Sequence, residues 1–275
     1  MFLNIDIPRV VQQQVHFSET KANTTVRTTQ ESTSKTFIYL TQTEQCLPSN
    51  LSSARVIGDS KACSCDVIVL SYRKECQEEK PSHISYILVR ESTWTSGRNI
   101  LYFVARERKS SYHYYIFLDD DVDLGFNSFT PQEMKLLTPF RAFEQWLLHY
   151  EPAVGALADS SRAKKLLERR RTLCGTNETS MVVPTVWFDA LFNAFHHKAI
   201  QQILPYPTQY DKVSWWTSQF HVMCSAELIF RGQALLCVSL TVFNRQHRPY
   251  PRGSQKFYAH VHAIDRKSTR LNSSH

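Results

Sequence analysis

The run from Tyr114 to Asp123 constrains the fold of this chain more than any other stretch. It reads YYIFLDDDVD, so five apolar or aromatic residues are followed at once by a cluster of acids. Such an apolar run predicts a strand that is buried on both faces. Several carboxylates at one strand end repel each other unless a cation lies among them. The run therefore predicts an open α/β sheet whose carboxyl edge binds a divalent metal.

Strands and helices alternate along the rest of the chain in the order that such a sheet needs. Further strands are predicted at 37–40, 66–72, 84–89, 154–158, 181–186 and 234–242. Helices are predicted at 100–108, 139–150, 162–171, 189–204 and 215–231, with an additional helix start at Thr130. This order predicts an α/β fold, a Rossmann-type sandwich in which helices flank a central, mostly parallel sheet.

The ends of the chain differ in composition from its middle. The first 36 residues are rich in Thr, Ser and Gln and cannot bury enough apolar area to fold alone. Residues 266–275 resemble translated adapter sequence and are interpreted as an artefact or a disordered tail. The predicted division is a polar, partly disordered stem or linker at 1–60, a folded domain at 61–265, and the tail.

The net charge of +7 and the pI of about 9.0 favour an anionic partner. The basic residues are scattered, however, and no nucleic-acid-binding motif is apparent. A small molecule that bears a diphosphate, or simply a solvated basic surface, accounts for the charge as well. Nucleic acid is therefore not a predicted partner.

Cysteines and glycosylation triplets favour an oxidising compartment. Cys224 and Cys237 lie in apolar runs and are predicted core residues. The other five lie in polar surroundings and could form disulfides: Cys46, Cys63, Cys65, Cys76 and Cys174. Asn-x-Ser/Thr triplets begin at Asn23, Asn50, Asn177 and Asn272. These features predict the lumen of the secretory pathway, although no signal peptide or membrane anchor is expected in this chain.

Two other carboxylate motifs do not fit the acidic cluster. An EF-hand loop that begins at Asp119 would have Leu124 where Gly is required and Thr130 where Glu is required. An aspartyl phosphatase would need a Thr four residues after its nucleophile, and neither Asp119 nor Asp121 has one. The remaining interpretations are an Asp-x-Asp pair, Asp119 and Asp121, or a solvated acidic loop.

Two segments resemble the GT-A class of metal-dependent, nucleotide-sugar glycosyltransferases. The segment 117–121 looks like the Asp-x-Asp motif of that class at a strand end, and Gly97-Arg98-Asn99 looks like the segment that often precedes it by about twenty residues. The resemblance covers about residues 64–253 and is closest to uncharacterised animal glycosyltransferase-like proteins. It implies a GT-A-like fold and a Golgi enzyme that moves a sugar from a nucleotide-sugar donor to a glycan or glycoprotein acceptor.

The resemblance also implies a Mn²⁺ or Mg²⁺ ion that neutralises the diphosphate leaving group. Asp121 would be a direct ligand, and Asp119 would bind the metal or the donor ribose. Arg98 and Asn99, at a helix start, would contact the donor, unless Arg98 forms a surface salt bridge.

A late histidine is a further metal or phosphate contact in this class, and His247 is the candidate here. It lies in a loop with three arginines, of which Arg248 is predicted to bind the donor. An ordinary basic loop is the alternative. Three other histidines are interpreted as structural: His196, His197 and His221.

An inverting enzyme needs a base for the acceptor hydroxyl, and Asp211 is the predicted one. Trp215 and Trp216 beside it could stack on the acceptor sugar. The alternatives are that Asp211 caps a helix and the tryptophans are core residues, with Glu227 as the second-choice acid. A retaining mechanism would need no such base. A non-catalytic protein that binds a glycan or nucleotide on the same fold is the alternative function.

Overall fold

The computed structural model describes residues 35–108, 111–174, 182–212 and 214–245. In this part of the chain a single sheet has the order β3-β2-β1-β4-β8-β6-β9-β5, and β7 pairs with β9. The strands are β1 (Phe37–Thr43), β2 (Cys65–Ser71), β3 (Ile84–Leu88), β4 (Tyr114–Asp119), β5 (Val122–Phe126), β6 (Val154–Ala158), β7 (Val182–Pro184), β8 (Phe192–His196) and β9 (Ala234–Asn244).

Helices cover both faces of this sheet. They are α1 (Ser49–Ser52), α2 (Ser60–Cys63), α3 (Trp94–Arg106), α4 (Pro139–Tyr150), α5 (Ser160–Cys174), α6 (His197–Ile203) and α7 (Trp215–Ile229). Because side chains alternate along a strand, Ile38 and Leu40 of β1 face one core, with α3, α5, α6 and α7. Phe37 and Tyr39 face the other, with α1, α2 and α4. The predicted α/β sandwich with helices around a central sheet is confirmed.

The strands of the sheet are parallel in one half and mixed in the other. β3, β2, β1 and β4 are parallel neighbours, as predicted. β8 is antiparallel to both of its neighbours, β4 and β6, so β4 and β6 run in the same direction. The carboxyl ends of β1, β2, β4 and β6 therefore lie at one edge of the sheet, and β8 begins at that edge.

One predicted helix is wrong in its first half. The segment 189–204 contains strand β8 and then the short helix α6. Phe192 and Ala194 of β8 face one core and Phe195 faces the other. A strand buried on both faces has no alternating pattern, and its apolar residues resemble those of a buried helix.

The boundary predicted at residue 60 is also wrong. β1 lies between β2 and β4, hydrogen-bonded to both, so the folded domain includes residues well before 61. The loop after β1 is polar, and for this reason the sequence predicted β1 in the stem and not in the folded domain. The predicted tail at 266–275 lies outside the described residues.

Two disulfides, Cys46–Cys76 and Cys63–Cys65, join four of the five cysteines predicted to pair. Cys237 is buried, as predicted, and Cys224 is half-buried; neither is in a disulfide.

The Asn50 amide donates to Val122 O at 3.1 Å, so this glycosylation triplet is engaged in packing. The other three triplets lie outside the described residues. Among the described helices, none has the length and apolarity needed to cross a membrane.

Candidate active-site cleft

The acidic cluster lies in a cleft at the carboxyl edge of the sheet. Asp119 ends β4, and Asp120 and Asp121 form the turn into β5. All three line the cleft, which has a volume of about 610 Å³. Asp120 and Asp121 are only 9% and 7% exposed. The Arg245 N–H donates to Asp121 O at 3.0 Å, so the end of β9 fixes this turn.

Arg98 is buried beneath the acidic turn. Its Nη2 donates to Asp119 Oδ1 at 2.7 Å, and its side chain is 2% exposed. Its guanidinium lies 4.3 Å from the ring centroid of Trp94, whose Nε1 donates to the same Oδ1 at 3.3 Å. The salt bridge considered as the alternative for Arg98 is thus present, but it is buried, and Arg98 does not line the cleft. Arg98 holds Asp119 in this geometry, and its contact with a donor stays a prediction.

Asn99, the other predicted donor residue of this segment, is hydrogen-bonded to the backbone of another loop. Asn99 Nδ2 donates to Tyr206 O at 2.7 Å, and the Tyr206 N–H donates to Asn99 Oδ1 at 2.8 Å. Asn99 is buried and both ends of its amide are engaged with the backbone. It therefore fixes the loop after α6 to helix α3, and its contact with a donor stays a prediction.

Asp211, the predicted base, lies behind the cleft wall. One carboxylate oxygen, Oδ2, accepts a hydrogen bond from Thr93 Oγ1. Thr93 lines the cleft and also caps α3, since its Oγ1 accepts the Ser96 N–H at 3.0 Å. Asp211 itself does not reach the cleft. It supports the cap of α3, whereas the alternative interpretation had it cap the helix that follows it.

Both predicted acceptor residues line the cleft. Trp215 stacks on Trp94, with ring centroids 6.1 Å apart and planes 14° apart. Trp216 stacks on Trp187 at 6.1 Å and 20°, and Trp187 is 36% exposed. The cleft therefore has aromatic faces of the kind that bind sugar rings.

The charged residues of the cleft that were not predicted include Asp159, Arg162 and Asp189, as well as Glu44 and Arg73. Asp159 follows β6 and caps α5, since its Oδ1 accepts the Arg162 N–H at 3.1 Å. Arg162 lines the cleft, although the basic run 162–171 was interpreted as a solvated face. Asp189 precedes β8, and its Oδ1 accepts the Leu191 N–H at 3.0 Å. The rule that placed Asp119 at the carboxyl edge would have found Asp159, because β6 also ends there.

Burial raises the pKa of Asp189, and the nearby charge of Asp119 adds to this effect. The Leu191 N–H and the charges of Arg98 and Arg162 oppose it. A carboxyl group with a raised pKa in a cleft is the type of group that enzymes use for proton transfer.

The other predicted site residues, His247 and Arg248, lie outside the described residues. Strand β9 ends at Asn244, which lines the cleft. Arg245, from the same basic loop, pairs with Asp123.

The acidic cluster offers a metal only part of its ligands. Within the described ranges, no three of the cleft acids bring ligand atoms within 4.8 Å of one another. Mg²⁺ and similar hard ions use one or two protein carboxylates and complete their shell with water and substrate phosphates. Asp119 and Asp121, which both line the cleft, are the predicted carboxylates for such a partial site.

Comparison with models of protein families gives no match, and comparison with curated proteins gives none either. Among solved structures, A197 from STIV matches with a TM-score of 0.38 and 11% identity, over 76% of this chain and 85% of that one. GalNAc-T7, solved with UDP, GalNAc and Mn²⁺, matches with a TM-score of 0.48 and 10% identity, over 81% of this chain. The match spans 45% of the GalNAc-T7 chain. Neither likeness carries the assignment of fold or site, which rests on the residues described above.

Proposed function

We propose that this chain is a metal-dependent glycosyltransferase that moves a sugar from a nucleotide-sugar donor to a glycan or glycoprotein acceptor. The observation that carries the proposal is the position of Asp119 and Asp121 in a cleft at the carboxyl edge of the sheet, with Arg98 fixed beneath them. The Asp-x-Asp and Gly-Arg-Asn segments that resemble GT-A enzymes support it.

Asp121 and the second oxygen of Asp119 would hold Mn²⁺ or Mg²⁺, because hard cations prefer carboxylate oxygens. Asp119 Oδ1 is engaged with Arg98 and Trp94, so Oδ2 is the oxygen assigned to this role. When bound, such an ion neutralises the charge that develops on a diphosphate leaving group.

The remaining roles belong to other residues of the cleft wall. Arg162 is the cation assigned to the donor phosphates, in place of Arg98. Asp189 is the base assigned to the acceptor hydroxyl, in place of Asp211, because it lines the cleft and Asp211 does not. Trp215 and Trp216 present the rings that would stack on the acceptor.

The proposed compartment is the Golgi or another part of the secretory pathway. The disulfides Cys46–Cys76 and Cys63–Cys65 support it, because structural disulfides persist in oxidising compartments.

A binding and hydrolysis screen tests the proposal. Purified protein is titrated with a panel of nucleoside diphosphates in the presence of Mn²⁺, and nucleotide-sugar hydrolysis is followed under the same conditions. Binding is expected to disappear in EDTA and to weaken by at least about 100-fold in Asp121→Asn, more than the loss of an outer-shell partner causes.

The matched control is Asp123→Asn, which removes the same charge two residues away, from a side chain that pairs with Arg245. Its affinity should stay close to that of the wild type. Folded protein that binds no nucleoside diphosphate, or binds equally in EDTA, would contradict the proposal. Metal-dependent binding without turnover of any donor would favour the non-catalytic alternative.

A further inference from the structure

Three histidines meet at the edge of the sheet opposite the cleft. His113 precedes β4, His196 ends β8, and His197 begins α6. The ring centroids of His113 and His196 are 4.8 Å apart, and those of His196 and His197 are 4.2 Å apart. One ring nitrogen from each of the three residues lies within 4.8 Å of the other two.

Backbone hydrogen bonds fix the positions of these residues. The His197 N–H donates to His113 O at 3.0 Å, and the His196 N–H donates to Ala153 O at 3.1 Å. Tyr114 and His196 are directly paired in the ladder between β4 and β8. The sheet itself therefore brings the three rings together, and only their side-chain torsions are left to adjust.

Two ring nitrogens of the cluster are buried without a hydrogen bond. These atoms are His113 Nε2 and His197 Nδ1, and neither has a hydrogen-bond partner in the described part of the chain. Buried polar atoms normally have partners, because leaving one unsatisfied is costly. Packing of aromatic rings alone does not account for two such atoms at one place.

The electrostatic surroundings suit a bound cation. Glu151 Oε1 lies 3.7 Å from His113 Nε2 and supplies a negative charge, while Lys198 is the nearby positive group. Histidine binds metals in its neutral form, through the lone pair of a ring nitrogen.

We propose that His113, His196 and His197 bind one zinc ion, at a site separate from the acidic cleft. Zinc prefers nitrogen ligands, whereas Mn²⁺ and Mg²⁺ prefer the oxygens of the cleft. With Zn–N distances of about 2.0–2.1 Å, tetrahedral ligand atoms lie about 3.3 Å apart, so the rings would move closer together. Ligation through His196 Nε2 would move the ring proton to Nδ1 and release the 3.3 Å contact with the Lys198 N–H.

Cobalt and zinc titrations of the full chain test this site. Co²⁺ bound tetrahedrally by nitrogen ligands gives strong visible absorption, which octahedral oxygen sites do not, and Zn²⁺ should displace it at one equivalent. Zn²⁺ at about 100 times its Kd should raise the unfolding midpoint by about 5–10 °C.

His196→Asn and His113→Gln should each weaken zinc binding by at least about 100-fold and abolish the thermal shift. Asn at 196 keeps an acceptor for the α6 cap, so the helix start is preserved. The control is His221→Gln, an exposed histidine of α7, which should bind zinc like the wild type.

Circular dichroism of the metal-free variants establishes that they are folded. Zinc affinity that is unchanged in folded His196→Asn and His113→Gln would overturn the proposal, as would a wild-type protein with no tetrahedral cobalt spectrum. Asp121→Asn should leave the cobalt spectrum unchanged, so failure of the glycosyltransferase proposal and failure of this one are separable.

Discussion

The ion pair between Arg98 and Asp119 compensates the negative charge of Asp119 at the base of the cleft. Arg98→Met keeps much of the apolar contact with Trp94 and Phe117 but removes the charge that pairs with Asp119. Breaking a fully buried pair costs about 3–5 kcal/mol. The Asp119 side chain is 31% exposed, so a loss of about 1–3 kcal/mol is expected in denaturant unfolding.

Arg98→Lys, which keeps the charge, should lose less stability than Arg98→Met. Equal stability of Arg98→Met and the wild type would mean that the pair has no supporting role.

Asp189 is the residue whose replacement separates turnover from binding. Asp189→Asn keeps the size of the side chain and an oxygen for the Leu191 N–H, but it cannot take a proton. Loss of a general base lowers kcat by about 100- to 10,000-fold. The metal-dependent affinity for nucleoside diphosphate should change little. Asp211→Asn is the comparison, and a larger loss of kcat in that variant would restore the original assignment.

Among the secondary-structure elements, strand β4 and helix α4 could be predicted from sequence because each has one dominant signal. An apolar run ends abruptly in acids at Asp119, and Thr138 and Pro139 mark the start of α4. Helix α3 begins at Trp94, six residues before the predicted start at Ile100, because Thr93 and Ser96 form a reciprocal cap. Strand β8 was mistaken for a helix because its burial on both faces leaves no period of two.

The contact between helix α3 and the loop after α6 gives a prediction at this scale. Asn99→Ala removes two hydrogen bonds and leaves the buried backbone groups of Tyr206 without partners. A destabilisation of about 2–4 kcal/mol is expected in chemical denaturation. Asn50→Ala, which removes a single bond to Val122 O, should cost about 1 kcal/mol. Nucleotide affinity reduced far beyond the loss of folded protein would return Asn99 to the donor site.

For the whole molecule, one buried carboxyl links the sheet to the helical layer that packs against it. Glu144 of α4 accepts the Tyr39 hydroxyl of β1 at 2.7 Å and lies 2.7 Å from Arg141 Nη1. Burial raises the pKa of Glu144 from 4.5 to about 7, although Arg141 and Tyr39 oppose this.

Because the folded-state pKa lies above the unfolded value, the folded protein holds this proton more tightly. The stabilising contribution of Glu144 to the free energy of unfolding is therefore complete below about pH 4.5, and it declines as the pH rises through about 7. The free energy of unfolding should fall by up to about 3 kcal/mol over this range from this group alone. Glu144→Gln should remove that part of the pH dependence, and parallel curves for the two proteins would contradict the assignment.

The sheet edge as a whole could be predicted from the sequence, while most of its individual contacts could not. The acids of 119–121 can be recognised in the sequence because they directly follow an apolar run. Arg162 and Asp189 come to the cleft only through the order of β6 and β8 in the sheet, which is a long-range property. Arg98 was placed in the right region, but its burial was not predicted, because that burial depends on the ring of Trp94 and on strand β4.

The segment Gly97-Arg98-Asn99 also has consequences for how relatives of this chain would diverge. A Cβ at Gly97 would lie 1.8 Å from Gln42 Oε1, so a larger residue there calls for a change at 42. Arg98 and Asp119 share a charge pair and should be replaced together. Asn99 is hydrogen-bonded to the backbone N–H and C=O of Tyr206. A substitution at 206 would change the side chain but would leave these two backbone groups in need of partners. No substitution elsewhere can compensate for its loss, so Asn99 should be the slowest of the three to vary.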